Sequence, residues 1–491
     1  MKIPKKLSSK NAPFRFSELG DKILVTNDVG EFIFLSPEDF ERYAEGRIGP
    51  SDPLFEELTG RHFIMTDLTV DQLTKKYKAK NHFLFHGPFL HIAIVTLRCN
   101  EVCVYCHASR RSMDETSYDM TEETARKVVD MAFQSPSPQL VLEFQGGEPL
   151  ANWDVVKVIT EYAIEKNQTA NKDLGFSLVT NLSLMTEERL EYLVDKNVQI
   201  CTSVDGPRDL HDGNRKLVGG SAYDQCVHWM KRIDEGFKAK GLDPDLYHVE
   251  SLMTTTRASL GRAREVVDEY VGLGRKALFL RPLNPFGFAK NTFERIGYTT
   301  DEFLAFYKEA VDYMIELNRK GVEILERNAA IFLTKMLTPS DPNYLDLRSP
   351  CGAGVGQIAY NFDGDLFTCD EGRMVAQMGD DVFQIGNIEE STYEEVVQHD
   401  AVKAIAVASC VDGLPGCMDC VFKPYCGVCP VYNYAEQGTI FGQMPTNERC
   451  KLYHGIQTYL FDWLSRDDQE VLDIFSKWTI VRDRKVFFLH E

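Results

Sequence analysis

Three cysteines crowd one short segment, Thr96-Leu-Arg-Cys99-Asn-Glu-Val-Cys103-Val-Tyr105-Cys106-His107. Thiolates spaced in this way on one loop can hold three irons of a four-iron, four-sulfur cluster and leave the fourth iron without a protein ligand. A cubane with an open iron can bind a substrate or cofactor, whereas a fully ligated one mainly carries electrons. The alternative is a zinc site, which wants four ligands, the fourth being offered by His107. A second group lies toward the C-terminus: Cys351, Cys369, Cys410, Cys417, Cys420, Cys426, Cys429 and Cys450. Only Cys201 and Cys226 stand outside the two groups, and Cys201 falls within an expected strand, where core packing is its simplest role. Thirteen cysteines in 491 residues argue against a disulfide framework and for bound metal in a reducing compartment.

Composition narrows the setting. The net charge of -20 disfavours DNA or RNA as a partner, since nucleic-acid binders carry a basic excess. No apolar stretch approaches the roughly 20 residues of a membrane helix, and no apolar run follows the lysines of Met1–Lys10, so neither a membrane partner nor a secretory signal is expected. The expected compartment is the cytoplasm. The length calls for two to four domains.

Elements must position the thiols. From His91 onward, β-rich runs alternate with amphipathic helices, and the strands drawn are His91–Leu97, Gln139–Gln145, Gly175–Thr180, Val198–Ser203, Leu246–Met253 and Ala277–Leu283. Between the first two, Ala125, Val128, Val129 and Ala132 recur at helical spacing within Thr121–Gln134. Six strand–helix repeats predict an α/β fold, a parallel sheet curled into a partial (β/α)6, TIM-like barrel. Chemistry in such barrels sits at the C-terminal strand ends, and the first cysteine group follows the first strand directly. Upstream, Lys22–Leu35 reads as a hairpin turning at Asn27–Gly30, Ser36-Pro37 opens a helix, and Pro53–Leu58 a second. This is a small winged-helix-like module. Thr300–Gly321 reads as a long helix. The tail beyond Tyr453 reads as helical and then as an apolar, basic stretch.

The cysteine loop, with Tyr105 before its last thiol, resembles the signature of the radical S-adenosylmethionine (SAM) superfamily. Gln145-Gly146-Gly147-Glu148-Pro149 resembles that family's motif for the SAM amino group, with glycines for close backbone approach and Glu148 as acceptor. Thr180-Asn181, Ser203, Asp205 and Arg215 resemble its ribose and carboxylate contacts. The resemblance implies that the open iron chelates SAM, that one electron cleaves SAM to a 5′-deoxyadenosyl radical, and that this radical removes a hydrogen atom from the substrate. Reduced flavodoxin or ferredoxin is the implied electron donor.

The second group resembles the SPASM auxiliary-cluster domain of peptide and protein maturases, which implies two further four-iron clusters. By that resemblance Cys417, Cys420, Cys426 and Cys450 hold one. Cys351 and Cys369 belong to the other, completed by Cys429, Cys410 or both; one or two zinc sites are the alternative. Cys426 and Cys429 are two residues apart where the family has three, and Cys410 is additional. Asp370 stands where anaerobic sulfatase maturases carry an Asp that takes a proton from the substrate; a solvated turn residue is the alternative. The N-terminal module resembles precursor-peptide recognition elements, which add a peptide strand to a sheet edge. With Leu280-Arg281-Pro282-Leu283-Asn284-Pro285 and Tyr434–Gly438, the layout resembles maturases of the His-Xaa-Ser type. The implied organisation is a recognition module over 1–85, a radical SAM barrel over 86–300, a linking helical segment over 301–348, a SPASM domain over 349–455 and a tail over 456–491. The implied activity is hydrogen abstraction from a ribosomally made peptide, giving a crosslink, ring, epimer or desaturated residue. A sulfatase maturase, a SPASM dehydrogenase of a small molecule and a zinc-stabilised binding protein are the competing readings.

Overall fold

The computed structural model describes residues 8–66 and 69–480. The first seven residues and the apolar, basic end of the tail lie outside these. The chain opens with an antiparallel sheet in the order β1 (Arg15–Leu19), β2 (Lys22–Thr26), β3 (Phe32–Leu35). The β2–β3 turn closes because the Asn27 side chain accepts from the backbone N–H groups of Val29 at 3.2 Å and Glu31 at 3.1 Å. Gly30 sits at φ 81° beneath the Lys80 arm, where a Cβ would lie 2.0 Å from Nζ. Ser36 caps the helix Pro37–Ala44 through Asp39 N, and Asp52 caps Pro53–Gly60 through Leu54 N, each cap satisfying an otherwise orphaned donor. The outer strand β1 and a third helix, Thr69–Lys80, join the expected hairpin and helices. Both lack clear apolar periodicity: β1 is five residues of mixed polarity and the helix is half lysine and threonine.

The module is bolted to the cysteine-rich part. Thr26 Oγ1 donates to Val421 O at 2.8 Å, Tyr425 Oη to Gly30 O at 3.1 Å, Arg15 Nε to Met418 O at 2.5 Å, and Lys423 pairs with Asp28 at 2.9 Å. Phe32 and Phe34 meet Phe461 edge-on.

The barrel strands are β4 (Leu90–Thr96), with the short β5 (Glu101–Cys103) just after it, β6 (Gln139–Gly146), β7 (Asp173–Val179), β8 (Gln199–Ser203), then short β9 (Arg215–Leu217), β10 (Glu250–Thr254), β11 (Ala277–Leu278) and β12 (Leu280–Arg281). β4, β6, β7, β8, β10 and β12 are parallel neighbours in that order, the partial α/β barrel expected. The helix Glu122–Ala132, capped by Thr121, buries Ala125, Val128, Val129 and Ala132 against it. Two strand bounds differ from expectation. β10 begins at Glu250 because Asp243–Tyr247 form a turn, with Leu246 and Tyr247 N–H groups donating to Asp243 O. The last run divides at Phe279: β11 pairs with β13 (Leu325–Glu326) while β12 pairs with β10.

The sheet does not stop at the barrel. After the helices Thr300–Arg319 and Arg327–Leu337, β14 (Gln357–Tyr360) pairs parallel with β4, and β15 (Asp365–Phe367) and β16 (Gln384–Asn387) extend it antiparallel, giving nine strands. The helix Glu448–Leu464 then packs back on Thr300–Arg319. No helix among the described residues is long and apolar enough to cross a membrane.

His91, fully buried in β4, lies against Tyr360 of β14, with Nδ1 2.8 Å from Tyr360 Oη and Nε2 3.3 Å from Pro88 O. Neutral imidazole satisfies both contacts, and burial pushes its pKa down from 6.5 to about 3. Its contribution to stability is therefore complete above pH 6.5 and lost as pH falls from 6.5 toward 3. Urea unfolding at pH 7 and pH 5 is expected to show this as a loss of up to about 1.4 kcal/mol per pH unit in the wild type, absent from His91→Gln.

Candidate active site

The cysteine loop leaves the C-terminal end of β4 and is pinned at its root. Arg98 holds Asp119 through Nε at 2.7 Å and Nη2 at 2.6 Å, and donates to Met113 O and Ala151 O. Cys99 N donates to Arg111 O and Arg111 N to Leu97 O. Gly146 and Gly147, at the end of β6, lie directly against this root. A Cβ on Gly146 would sit 1.9 Å from Thr96 O, and one on Gly147 2.3 Å from Arg98 O. The close approach these glycines permit is thus to the chain's own cysteine loop.

Glu148 turns inward. Its fully buried carboxylate accepts from Leu150 N at 3.0 Å, Thr180 Oγ1 at 2.6 Å and Asn181 N at 2.7 Å, tying the ends of β6 and β7. Burial pushes its pKa up to about 7, against the pull of those three donors. Asn181 reaches across to Asn100 Oδ1 at 3.2 Å and, at 3.8 Å, to the Cys99 sulfur. Gln145 donates to Glu143 at 2.6 Å, and Ser203 ends β8 opposite Leu252.

Arg215 is the electrostatic centre. β9 pairs antiparallel with β5, setting Arg215 opposite Cys103. Its guanidinium lies 3.4 Å from Asp205, 3.6 Å from Glu101 and over the Tyr105 ring at 5.4 Å. Tyr105 Oη donates to Asp205 at 2.6 Å, and Thr254 N to the other Asp205 oxygen at 3.2 Å. Burial works against the charge of Arg215, but Tyr105, Cys103, Asp205 and Glu101 outweigh it and raise its pKa well above the ordinary value. Burial raises the Cys103 thiol, and Arg215 pulls it back. Phe288 N donates to Cys106 O at 3.0 Å and Thr292 Oγ1 to Val104 O at 2.8 Å, so the helix Phe288–Ile296 roofs the loop.

Strand alternation leaves a partly accessible lumen. Glu143, Cys201 and Arg281, from β6, β8 and β12, are each partly exposed and electrostatically coupled. Cys201 faces this interior rather than the packed core, and Cys226 is buried against Thr202 and Met230. Only the two-residue period of β8 could have signalled the orientation of Cys201.

The second cysteine group separates into two. Cys417, Cys420, Cys426 and Cys450 line one small cavity, which Cys429 also reaches, and neighbouring thiols of this set add to burial in raising the thiol pKa values of Cys417, Cys426 and Cys450. Cys351, Cys369 and Cys429 share a buried cluster and act on one another likewise. Cys410 belongs to neither the cavity nor the buried cluster, and its charge acts on Tyr77 of the N-terminal module, as do those of Asp412, Lys423 and Asp28. Among the described residues no three His, Cys, Asp or Glu side chains converge closely enough for a single metal ion; the corners of a cubane are wider apart than the ligands of one zinc. Asp370 is not a solvated turn residue. It is 7% exposed and paired with the buried Arg373 at 2.8 Å. Its neighbour Glu371, which carried no signal of its own in the sequence, is partly exposed and pushed up to about 7 by burial and by Asp346 and Asp370.

Residues 93–242 match the radical SAM superfamily. This stretch is a radical SAM domain and the protein is a radical SAM enzyme, with SAM and a four-iron, four-sulfur cluster as its cofactors. It is similar to the cysteine-type anaerobic sulfatase-maturating enzyme of Clostridium perfringens, 24% identical over 308 residues that cover 61% of this chain and 77% of that one. Among solved structures, anSMEcpe with bound SAM aligns with a TM-score of 0.62 at 20% identity, over 78% of this chain and 99% of its own. Streptococcus suis SuiB bound to SAM aligns at 0.51 and 15% identity, over 89% and 98%. Both likenesses show a common fold. SuiB is also known bound to precursor peptide SuiA, and anSMEcpe to peptide Cp18Cys.

The loop fits such a cofactor: three thiols, a resident cation beside one of them, and buried nitrogens on His107 (Nε2) and Asn214 (Nδ2) that find no partner in the protein. Arg215→Met leaves Asp205 and Glu101 buried without their counter-charge, a loss of roughly 3–5 kcal/mol. The expected outcome is a lower urea midpoint and less iron retained per chain, with part of both recovered in Arg215→Lys.

Proposed function

We propose that this protein is a radical SAM peptide maturase that modifies a ribosomally made precursor. The observation that carries the reading is the N-terminal sheet. It is bolted to the Met418–Tyr425 segment between the auxiliary cysteines, and the outer edges of β1 and β3 pair with no further strand among the described residues. Such an edge accepts a peptide strand through backbone hydrogen bonds. The peptide-bound forms of SuiB and anSMEcpe support it.

Cys99, Cys103 and Cys106 would hold the SAM-binding cluster, with Arg215 compensating thiolate charge at Cys103. Glu148, Thr180 and Asn181 would set the β6 and β7 ends against the loop, and Tyr105 and Asp205 would keep Arg215 in place. The bound cofactor supplies a carbon-centred radical that takes a hydrogen atom from the substrate. The roofing helix Phe288–Ile296 shields that step from solvent. Cys417, Cys420, Cys426 and Cys450 would hold one auxiliary cluster, and Cys351, Cys369 and Cys429 the other. The Arg373 partner already bound to Asp370 weighs against a proton-accepting role for that carboxylate and so against the sulfatase-maturase reading.

The test is anaerobic reconstitution followed by addition of SAM and dithionite. About twelve irons per chain are expected for three cubanes, and Cys99/Cys103/Cys106→Ala is expected to lose about four of them together with all 5′-deoxyadenosine. A candidate precursor made in deuterated medium is expected to deliver deuterium to 5′-deoxyadenosine; transfer only from a small molecule would overturn the peptide reading.

The two cysteines left open by the sequence separate by metal count. Cys429→Ser is expected to cost up to one cubane, about four irons, whereas Cys410→Ser keeps the wild-type iron content, measured by iron analysis of the reconstituted proteins.

A further inference from the structure

The strand end at Arg281 opens into a cavity of about 540 Å³ between the barrel and the cysteine-rich part. Its inner wall is Phe279, Arg281, Tyr344 and Asp346, and its far wall Tyr432 and Arg449. Of its basic lining residues Arg449 and Lys451 are matched to carboxylates and Arg281 is not, while Glu436 and Glu448 line it without an ion pair among the described residues. Lys451 pairs with Asp301 at 2.7 Å, Arg449 approaches Asp346 at 3.8 Å while lying over Tyr432 and Tyr453, and Glu448 accepts from Thr300. Arg281 makes no side-chain hydrogen bond and no ion pair among the described residues, and its guanidinium only overlies Phe279, at 5.6 Å from the ring centre. A partly buried guanidinium offers five N–H donors in a planar fork that matches a carboxylate.

The position is rigid and close to the chemistry. Leu280 N donates to Glu326, Thr255 N to Arg281 O, and Leu283 N to Tyr298 Oη at 2.7 Å. Leu283 and Tyr298, which line the cavity, also pack against Tyr105, Val104 and Cys103. The charge of Arg281 is felt at His107, next to Cys106, and at Cys201 across the lumen. On the other side Tyr432 N donates to the Cys429 sulfur at 3.4 Å. A ligand held by Arg281 therefore lies between the SAM-cluster loop and the auxiliary cysteines.

We propose that this cavity binds an acidic side chain of the peptide substrate, its carboxylate received by Arg281 and its neighbouring residues packed against the aromatic walls. The inference rests on the peptide-maturase reading and names the residue class that the reading leaves open. Asp346, on the same wall, and Glu371 lie near enough to act on the charge of Arg281 without pairing with it. They would disfavour a second acidic residue beside the first.

The test uses reconstituted full-length enzyme with SAM and two probes, acetyl-Ala-Glu-Tyr-Ala-amide and its Gln counterpart, titrated by NMR. The Glu peptide is expected to bind the wild type about tenfold more tightly than the Gln peptide. That preference is expected to vanish in Arg281→Met and return in part in Arg281→Lys, with far-UV circular dichroism confirming that each variant is folded. Equal binding of the two probes, or a preference unchanged in Arg281→Met, overturns carboxylate recognition, and so does the absence of binding by either. Wild-type SAM cleavage and deuterium transfer are measured separately, so failure of the maturase reading shows there and not in the Glu-to-Gln comparison.

Discussion

The buried charge of Arg215 organises the site more than any other interaction. A guanidinium shut away from water is tolerable only with close counter-charges, and Glu101, Asp205 and the Tyr105 ring supply them. Glu101 and Tyr105 come from the cysteine loop and Asp205 from the end of β8, while β9 carries the arginine. One charge therefore gathers three segments, and it does so on the face of the loop where Cys103 lies. The Gly146–Gly147 approach and the inward Glu148 complete the arrangement from the β6 side.

This arrangement places the loop at the mouth of a lumen lined by ionisable side chains rather than by packed hydrocarbon. Glu143, Cys201, Arg281 and Glu371 come from strands and a helix far apart in the chain, and they influence one another's protonation. The roofing helix Phe288–Ile296 and the segment before it reach the cysteine loop on one side and the cavity on the other. The way from the loop to the auxiliary cysteines runs past Leu283 and Tyr298 on one side and Tyr432 on the other.

Much of this path was legible in the residues themselves. The cysteine spacing, the strand–helix alternation that marked six strands, and the Ser36 cap are local signals, and local signals survive folding. What was not legible depends on contacts between distant segments. Where Cys410 and Cys429 lie depends on how distant segments fold together, and Tyr77, more than 300 positions earlier, lies within reach of the Cys410 charge. Glu148 reads in the sequence as an acceptor for a ligand, and the sequence does not show that Leu150, Thr180 and Asn181 also donate to it. Arg98 and Asp119 carried no distinguishing pattern, yet they anchor the loop. Asp370 reads in the sequence as either a proton acceptor or a solvated turn residue, because its partner Arg373 reads as an ordinary surface residue until burial is known.

The pairing of β14 with β4 bears on how such a chain can be divided or recombined. Gln357–Tyr360 pair with Leu90–Ala93, the N-terminal half of the strand whose far end carries the cysteine loop. Cutting the chain before Cys351 would bare that strand's edge, leaving unpaired amides in the strand that carries the cysteine loop and a ready template for association between molecules. The two cysteine-bearing regions are thus one cooperative unit, not modules joined end to end. A chimera that grafts another cysteine-rich tail onto this barrel has to bring a matching strand with it, and the natural crossover points lie outside the sheet, on the N-terminal side of β4.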